Sequence, residues 1–355
     1  MQPIQATNYS IYFNDDCYTF LNSFLVENKY SKLFILVDSN TNENCLPHFL
    51  SLVSTEIVIE IIEIESGEEY KNIEICIQLW ESLTELCGDR KSVIINVGGG
   101  VITDLGGFVA STFKRGIDFI NVPTTLLGMV DASIGGKNGV DLGNLKNQIG
   151  VINSPKAVLV DTIYLETLPQ NEMRSGLAEM LKHGLIFDEK YWNKFNNLSL
   201  LSSNDLDDLI HQSIEIKNAI VMQDPTENGI RKALNFGHTL GHAIESYFLE
   251  KPFKKRLLHG EAIAVGMILE SFISMKKNLI SLDEYSEIKN TIYAIFERVV
   301  IDENDINPII DLLIHDKKNE YGTIQFALLD GIGKTTLNQL ADNELISIAF
   351  DDYKT

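Results

Sequence analysis

Residues 92–107, SVIINVGGGVITDLGG, decide the fold class of this chain. Residues 92–97 form a short apolar run rich in β-branched side chains, which predicts a buried strand. Three glycines follow it directly, and a helix-like pattern then continues to about residue 114. A glycine-rich turn from strand to helix is typical of dinucleotide-binding sheets, because backbone N–H groups can approach a pyrophosphate there. The stretch lacks a G-x-G-x-x-G pattern, so a simple tight turn is the alternative.

The alternation of strands and helices extends to both sides of this turn. Residues 32–37, 57–64 and 119–122 are short runs that predict further strands, and residues 72–86 have helical periodicity. Strands that alternate with helices predict a mostly parallel, Rossmann-like sheet covered on both faces. The first part of the chain is therefore predicted to be an α/β domain.

From about Asn171 the pattern changes to long segments of helical period. They are residues 172–187, 205–222, 230–249, 260–276, 283–298 and 304–315. Residues 323–329 and 335–337 form a short strand-like pair around the turn Asp330-Gly331-Ile332-Gly333. We predict an α/β domain over residues 1–155 and a mainly α-helical domain over residues 156–355, joined within residues 153–167.

Composition narrows the class of partner and the compartment. The formal net charge of the 355 residues is −21, which argues against nucleic acid or an anionic membrane as a partner. The chain has no apolar stretch near the roughly 18 residues of a membrane span and no secretory signal pattern, so we expect a cytoplasmic protein. Its four cysteines show no metal-binding or disulfide spacing: Cys17, Cys45, Cys76 and Cys87.

Several polar residues follow the predicted strands. Asp38 ends the first of them, Glu68 and Lys71 lie in SGEEYK, and Asp104 lies one turn into the helix after the glycines. Each has an ordinary alternative as a turn, cap or helix-terminus residue. Their coincidence at carboxyl ends of strands favours dinucleotide binding, because open α/β sheets bind ligands there.

Residues 115–147 combine cations with glycine. Arg115, Lys137 and Lys146 stand among five glycines, and we interpret the stretch as a loop without a role in the core. A solvated surface loop fits this composition, as does an anion site wrapped by backbone N–H groups. Asp131 lies in an otherwise apolar part of the stretch, where a half-buried carboxylate needs a partner.

Three histidines suggest a metal site. His238 and His242 have i,i+4 spacing on one helix face, and His259 follows a loop. Core or capping histidines are the alternative, and a zinc site needs a third ligand, which His259 or the carboxylate of Glu179 could supply. Spacing does not decide which of His238 and His242 is a ligand and which is an acid or base. Cations and amides accompany this region in the sequence: Lys182, Lys217, Arg231 and Asn235.

The motifs together resemble the 3-dehydroquinate synthases, a family of sugar-phosphate cyclases. The stretches that carry the resemblance are GGGVITDLGGFVAS, RG, PTTLL, VDASIGGKNGV, LKNQIG, LETLP, GLAEMLKHGLI, RKALNFGHTLGHAIE, LHGEAIAVGM and HDKK, in family order from about Asp38 to Gly333. The resemblance implies an NAD-binding α/β domain followed by a helical domain that binds metal and substrate.

The resemblance also assigns roles to individual residues. The implied metal ligands, usually of zinc with cobalt as an alternative, are Glu179, His238 and His259. The implied substrate and acid–base residues are Arg115, Asp131, Lys137, Asn147, Lys182, Lys217, Arg231, Asn235, His242 and Lys317 or its neighbour Lys318. The implied NAD site comprises Asp38, Asn40, Glu68, Lys71, Gly99, Gly100, Val101, Asp104, Thr124, Thr125, Lys137, Lys146, Tyr164 and Thr167.

The implied activity is conversion of a phosphorylated seven-carbon sugar acid into a carbocycle in aromatic amino-acid biosynthesis. The implied assembly is a homodimer, in which Arg115 reaches the neighbouring site. Four positions depart from the family pattern, which usually has serine at Ala132, threonine at Asn138, asparagine at Asp141 and glycine at Leu145. The alternatives are a related cyclase such as 2-deoxy-scyllo-inosose synthase and a glycerol-dehydrogenase-like polyol oxidoreductase.

Overall fold

The structure is a computed structural model that describes residues 1–143, 145–195, 203–251, 253–313 and 324–354. The chain divides into two compact units, Met1–Pro169 and Gln170–Thr355. This division lies C-terminal to the predicted boundary after residue 155, because the strand Ala157–Val160 pairs with two strands of the first unit.

The first unit contains a seven-stranded sheet, a hairpin and five α-helices. The sheet strands are β1 (Ile4–Gln5), β2 (Ser10–Phe13), β3 (Lys32–Asp38), β4 (Ile59–Ile64), β5 (Ser92–Gly98), β6 (Asp118–Pro123) and β9 (Ala157–Val160). The hairpin is β7 (Lys137–Leu142) with β8 (Leu145–Ile152), and the helices are α1 (Asp15–Asn28), α2 (Ser39–Asn44), α3 (Leu46–Leu52), α4 (Ile73–Glu85) and α5 (Gly100–Thr112).

The sheet order is β1-β2-β9-β6-β5-β3-β4, and every neighbouring pair except β1–β2 is parallel. The predicted mostly parallel α/β sheet is therefore confirmed. β5 is buried along its whole length, as its unbroken apolar run requires in a sheet covered on both faces. Helix α5 lies close to it, because a Cβ added at Gly106 would lie 1.9 Å from Asn96 Oδ1.

The interpretation of residues 115–147 as a loop without a core role was wrong. A π-helical turn spans Gly128–Ala132, and the β7–β8 hairpin begins at Lys137. Val140 is completely buried in the apolar core with side chains of α4 and α5. Glycines at 135, 136, 139 and 143 interrupt the alternation of apolar and polar side chains that would have marked the strand.

The second unit is mainly helical, as predicted. Its helices are α6 (Gln170–Phe187), α7 (Glu189–Trp192), α8 (Ser203–Gln223), α9 (His238–Glu250), α10 (His259–Lys276), α11 (Leu282–Ile295), α12 (Glu303–Leu312) and α13 (Asn343–Lys354), and its strands are β10 (Phe326–Leu329) and β11 (Thr335–Gln339). Helix α10 is buried on almost every side and packs against α6, α9, α11 and α13. Among the described residues, none of the helices has the length and apolar character that a bilayer span requires.

The predicted single helix over residues 230–249 is two elements. A 3₁₀ turn covers Ile230–Asn235, and α9 begins at His238. Between them Gly237 has a φ of 76°, a left-handed conformation that breaks the helix and favours glycine. The break makes His238 the first residue of α9, from which its side chain reaches Glu179 and His259 on two neighbouring helices.

Candidate metal and cofactor sites

Three helices of the second unit bring one carboxylate and two imidazoles together. Glu179 lies in the middle of α6 and is fully buried, whereas His238 and His259 are the first residues of α9 and α10. Glu179 Oε1 lies 3.3 Å from His238 Nε2 and 3.6 Å from His259 Nε2. Within the described residues this carboxylate oxygen accepts no hydrogen bond. A buried oxygen of this kind requires a partner.

The distances between these three atoms fit a divalent ion. A tetrahedral zinc ion with bonds of about 2.0–2.1 Å holds its nitrogen and oxygen donors about 3.3–3.4 Å apart. The two separations from Glu179 Oε1 are close to that value. The three ligands implied by the resemblance thus converge in the second unit, and their donor set of two imidazoles and one carboxylate suits a catalytic metal.

Lys182 keeps the Glu179 carboxylate ionised. It lies one turn after Glu179 on α6, is 1% exposed, and forms an ion pair with Glu179 Oε2. Burial alone would raise the pKa of the Glu179 carboxyl, but Lys182 and then His238 hold that pKa well below its usual range. Glu179 is therefore a carboxylate at neutral pH, with one oxygen on the ammonium and the other facing the imidazoles.

The second nitrogen of each imidazole faces an acceptor. His238 Nδ1 lies 3.1 Å from the carbonyl oxygen of Phe236, and His259 Nδ1 lies 3.3 Å from Glu245 Oε2. Protonation of Nδ1 would satisfy both contacts and leave both Nε2 atoms for an ion, as is usual for histidine ligands. Glu245 was not among the predicted site residues, although it lies two helical turns after His238 on the same face of α9.

The two histidines have opposite pKa shifts. Burial, followed by repulsion from Lys182, lowers the pKa of His238 to about 4 despite the attraction of Glu179. Burial also disfavours the charged form of His259, but the carboxylates of Glu245 and Glu179 outweigh it and raise the pKa of His259 to about 9. At pH 7 the cluster without an ion therefore contains neutral His238 and protonated His259.

His242 lies beside the same cluster. Its ring centroid is 5.1 Å from that of His238 and 5.7 Å from that of His259, and the three histidines have nitrogen atoms within 4.8 Å of one another. A site of three histidines is thus a second possible ligand set. The distances from Glu179 to His238 and His259 favour the first set, in which the half-buried His242 is not a ligand.

The loop after α8 holds two more of the expected residues. Asp224 accepts hydrogen bonds from the backbone N–H groups of Gly229 and Arg231, at 2.7 and 3.1 Å. The Arg231 guanidinium donates to the carbonyl oxygen of Pro225 at 2.7 Å, and Asn235 donates to Glu227 Oε1 at 2.9 Å. Lys217 is buried in α8. Lys317 and Lys318 lie outside the described residues.

A second polar cluster forms in the first unit around Lys71. Its ammonium donates to Asp104 Oδ2 and to Asn147 Oδ1, both at 2.7 Å, and lies 4.0 Å from Glu68 Oε1. Lys146 lies 3.4 Å from the same oxygen of Glu68. Five residues with implied cofactor or substrate roles therefore lie together: Glu68, Lys71, Asp104, Lys146 and Asn147. They come from the turn after β4, from α5 and from β8.

The Lys71 cluster is a buried, paired set of charges. Burial would lower the pKa of the Lys71 ammonium, but Asp104 and Glu68 raise it, so the group stays protonated. Burial raises the pKa of Asp104, and Lys71 opposes that shift. Asp141, where the family usually has asparagine, accepts a hydrogen bond from the backbone N–H of Asn147 at 2.6 Å. This contact holds Asn147, whose side chain accepts a hydrogen bond from Lys71.

The remaining expected cofactor residues lie near carboxyl ends of strands. Gly99 is the N-cap of α5, with Gly100 and Val101 next in the helix, and Thr124 and Thr125 follow β6. Tyr164 and Thr167 belong to a 3₁₀ turn after β9. Asp38 ends β3 and caps α2, in which Asn40 lies, so the capping alternative for Asp38 applies. This edge is where open α/β sheets bind nucleotides.

Three expected substrate residues lie elsewhere in the first unit. Arg115 ends a 3₁₀ turn with a φ of 72°, and its side chain is exposed. Asp131 is half-buried in the π-helical turn, and Lys137 is exposed at the start of β7.

Comparison with known proteins gives one consistent family. The model described as 3-dehydroquinate synthase N-terminal matches residues 61–175, and the one described as 3-dehydroquinate synthase C-terminal matches residues 176–319. A 3-dehydroquinate synthase of Parabacteroides distasonis is 40% identical over 336 residues, which are 94% of each chain.

Solved structures agree with this result. A 2-deoxy-scyllo-inosose synthase complexed with carbaglucose-6-phosphate, NAD+ and Co2+ has a TM-score of 0.86 at 26% identity, over 99% of both chains. A 2-epi-5-epi-valiolone synthase of Streptomyces hygroscopicus subsp. jinggangensis 5008, with NAD+ and Zn2+ bound, has a TM-score of 0.82 over 100% of this chain and 99% of that one. At 21% identity the latter supports the fold alone.

Proposed function

The chain belongs to the 3-dehydroquinate synthase family, and from this membership we propose its reaction in detail. The substrate is 3-deoxy-D-arabino-heptulosonate 7-phosphate, and the products are 3-dehydroquinate and phosphate. The enzyme is a carbon–oxygen lyase acting on a phosphate ester. The observation that supports the proposal most is the convergence of Glu179, His238 and His259 at distances suited to a divalent ion.

Glu179, His238 and His259 would hold the ion, with zinc as the proposed metal and cobalt as the alternative. The related 2-deoxy-scyllo-inosose synthase structure, which contains NAD+ and Co2+, supports a divalent ion beside NAD. A bound ion of this type supplies a Lewis acid that polarises a substrate hydroxyl and eases its deprotonation. Glu245 keeps His259 oriented for that task through its contact with Nδ1.

The Lys71 cluster and the glycine turn at the start of α5 would hold NAD. When bound, NAD supplies a transient hydride acceptor for C5 of the substrate. Gly99 and Gly100 leave room for the pyrophosphate at the N-terminus of α5, where N–H groups are free of intrahelical partners. Thr124, Thr125, Tyr164 and Thr167 complete the proposed site.

The substrate is an anion with a carboxylate and a phosphate, and the chain supplies cations locally within a protein of net charge −21. The proposed set is Arg115, Lys137, Lys146, Lys182, Lys217, Arg231 and either Lys317 or Lys318. Paired N–H donors on carboxylate and phosphate oxygens give both affinity and orientation. Asp131, Asn147 and Asn235 would orient the substrate hydroxyls, and His242 would move the proton at the C5 oxygen or the ring hydroxyl.

The proposed reaction needs no net oxidant. Oxidation at C5 acidifies the proton at C6, phosphate leaves by β-elimination, and C5 is then reduced again. Ring opening and an intramolecular aldol reaction close the carbocycle. Because the substrate itself carries most of the reacting groups, the main contribution of the chain is to position them. We propose that the enzyme acts in the cytoplasm as a homodimer in which Arg115 reaches the neighbouring site.

The test is a phosphate-release assay with the heptulosonate phosphate. We expect release that requires NAD and is abolished by a chelator, with no lasting absorbance from NADH. A chelated and dialysed enzyme that remains fully active would contradict the metal site. Lasting NADH without phosphate release would instead indicate a polyol oxidoreductase.

A related cyclase activity is the second candidate, because the 2-deoxy-scyllo-inosose synthase structure matches 99% of the chain with a TM-score of 0.86. That enzyme class would release phosphate from glucose 6-phosphate. We expect the heptulosonate phosphate to be preferred by several orders of magnitude in kcat/KM. A higher kcat/KM for glucose 6-phosphate would instead indicate a 2-deoxy-scyllo-inosose synthase.

Binding of the ion should release about one proton per chain at pH 7. His259 has a raised pKa of about 9 and is protonated at that pH, whereas His238, with a pKa of about 4, is already neutral. A metal ligand must be a neutral imidazole, so His259 has to lose its proton. Calorimetric titration with zinc in buffers of different ionisation enthalpy measures the number of protons released per ion bound. This number should fall toward zero above pH 9, and the absence of proton release at pH 7 would contradict the prediction.

Replacing Lys71 by methionine should weaken NAD binding about tenfold to a hundredfold, which is the usual effect of losing a charge-assisted hydrogen bond at a buried site. The variant removes the cation that holds Asp104 and Asn147 together. The dissociation constant can be measured by calorimetry with NAD. Lys91→Met, which removes an exposed lysine of the same unit, is the matched control and should bind NAD as the wild type does.

A further inference from the structure

A buried carboxylate outside the proposed ligand set lies under the first turn of α9. Glu270 belongs to α10 and is completely buried. It accepts hydrogen bonds from two backbone N–H groups at the start of α9. Its Oε2 is 2.7 Å from the nitrogen of Gly237, and its Oε1 is 3.1 Å from the nitrogen of Leu240. These two donors lie on either side of His238 in the sequence.

This contact replaces a missing cap. The N-cap residue of α9 is Gly237, which has no side chain to accept a hydrogen bond from the helix. The first N–H groups of a helix have no intrahelical partner, and the helix dipole favours a negative charge there. An aspartate at the N-cap position would normally provide the acceptor and the negative charge for these N–H groups. Here Glu270 provides both from the neighbouring helix α10.

Close packing fixes α10 against the same turn. A Cβ added at Gly266, one turn before Glu270, would lie 1.9 Å from the carbonyl oxygen of Gly237 and 2.8 Å from the nitrogen of Gly241. One added at Gly237 would lie 2.6 Å from Met267 Cγ. The turn that precedes and includes His238 is thus held by backbone contact on one side and by two charge-assisted hydrogen bonds from Glu270.

We propose that Glu270 is a positioning residue for the metal site, which acts by fixing the first turn of α9 and hence His238. The inference rests on the proposed function, since it assumes that His238 is a ligand. His238 Nε2 lies 3.3 Å from Glu179 Oε1, and a shift of the turn by a fraction of an ångström would change that distance directly. A ligand site loses affinity when its supporting contacts are removed, even though the ligands themselves remain.

The test is a Co2+ titration of the full chain after removal of metal with a chelator, followed by the visible absorption of the bound ion. Glu270→Gln keeps the shape of the side chain but places an amide N–H against a backbone N–H. We expect its affinity for Co2+ to fall about tenfold or more, with a changed absorption spectrum. If this variant is not obtained folded, Glu270→Asp, which keeps the charge but shortens the reach, should show a smaller loss in the same direction.

Ser274→Ala is the matched control. Ser274 is buried one turn later on α10, donates a hydrogen bond to the backbone carbonyl of Glu270 and accepts one from the Leu329 backbone. Its loss therefore perturbs the same part of α10 but leaves both hydrogen bonds from α9 to the Glu270 carboxylate in place. We expect this variant to bind Co2+ with the affinity and spectrum of the wild type. Unchanged Co2+ affinity and spectrum in the folded Glu270 variant would overturn the proposal. A wild-type chain that binds no Co2+ would contradict the proposed function itself, so the two failures are distinguishable.

Discussion

Replacing Glu179 by glutamine should remove the bound divalent ion and lower kcat by about a thousandfold or more. The change keeps the size of the side chain but removes the negative charge that faces His238, His259 and Lys182. An amide oxygen is a weak metal ligand, and without the ion no Lewis acid polarises the substrate hydroxyl. Elemental analysis for metal per chain and the phosphate-release assay give the two measurements.

The control for this variant is Glu287→Gln, which removes an exposed carboxylate from α11 in the same unit. It should retain one ion per chain and wild-type turnover. Because Glu179 faces a buried ammonium, the variant should also be less stable, and its folding must be checked by circular dichroism. A folded Glu179→Gln enzyme with a full complement of metal would exclude this carboxylate as a ligand.

Alanine substitutions of His238 and His242, the two histidines of α9, should have different effects on metal binding. We expect His238→Ala to lose the ion and the activity together, whereas His242→Ala should keep the ion and lose about a hundredfold to ten-thousandfold in kcat. The reason is that His238 Nε2 lies 3.3 Å from Glu179 Oε1, while His242 would act as an acid or base, a role of about that magnitude. Metal content, kcat and the pH dependence of kcat are the measurements.

Each of these two variants serves as a control for the other. Both replace a histidine by alanine within the first turns of one helix, so the change in helix propensity is the same. Loss of the ion from His242→Ala would instead indicate the ligand set of three histidines, which also lie within 4.8 Å of one another. Wild-type kcat in His242→Ala would contradict its proposed role in proton transfer.

Much of the architecture could be predicted from local patterns. The apolar run before Gly98 predicted β5, and helical periodicity predicted the helical character of the second unit. Both features depend on neighbours within a few residues along the chain. The short strands β1, β2 and β9 were missed, and so was the 12-residue helix α13, although its buried side chains Ile346, Ala349, Phe350 and Tyr353 have helical spacing. The hairpin of β7 and β8 was missed because glycine interrupts its alternation.

The limits of the sequence are clearest at the break before α9. Residues 230–249 have a continuous helical period, and Gly237 alone does not reveal that the chain turns there, since a glycine inside a helix is tolerated at a modest cost. In its left-handed conformation Gly237 donates its N–H to Glu270 and packs closely against Met267, both on α10. The hydrogen bond to Glu270 joins residues 33 positions apart in the chain, a distance over which local periodicity carries no information.

By itself the sequence determined the types of residue available and the elements that carry them: a glycine turn after a buried strand, a carboxylate and three histidines on helices, and an order of motifs that resembles one family. The tertiary structure alone decided that Glu179 Oε1 faces two imidazoles, that Glu245 orients His259, and that Glu270 holds the turn of His238. The physical reason is that helix periodicity specifies which face of a helix is buried, whereas the atoms that meet across two helices depend on how closely their backbones pack.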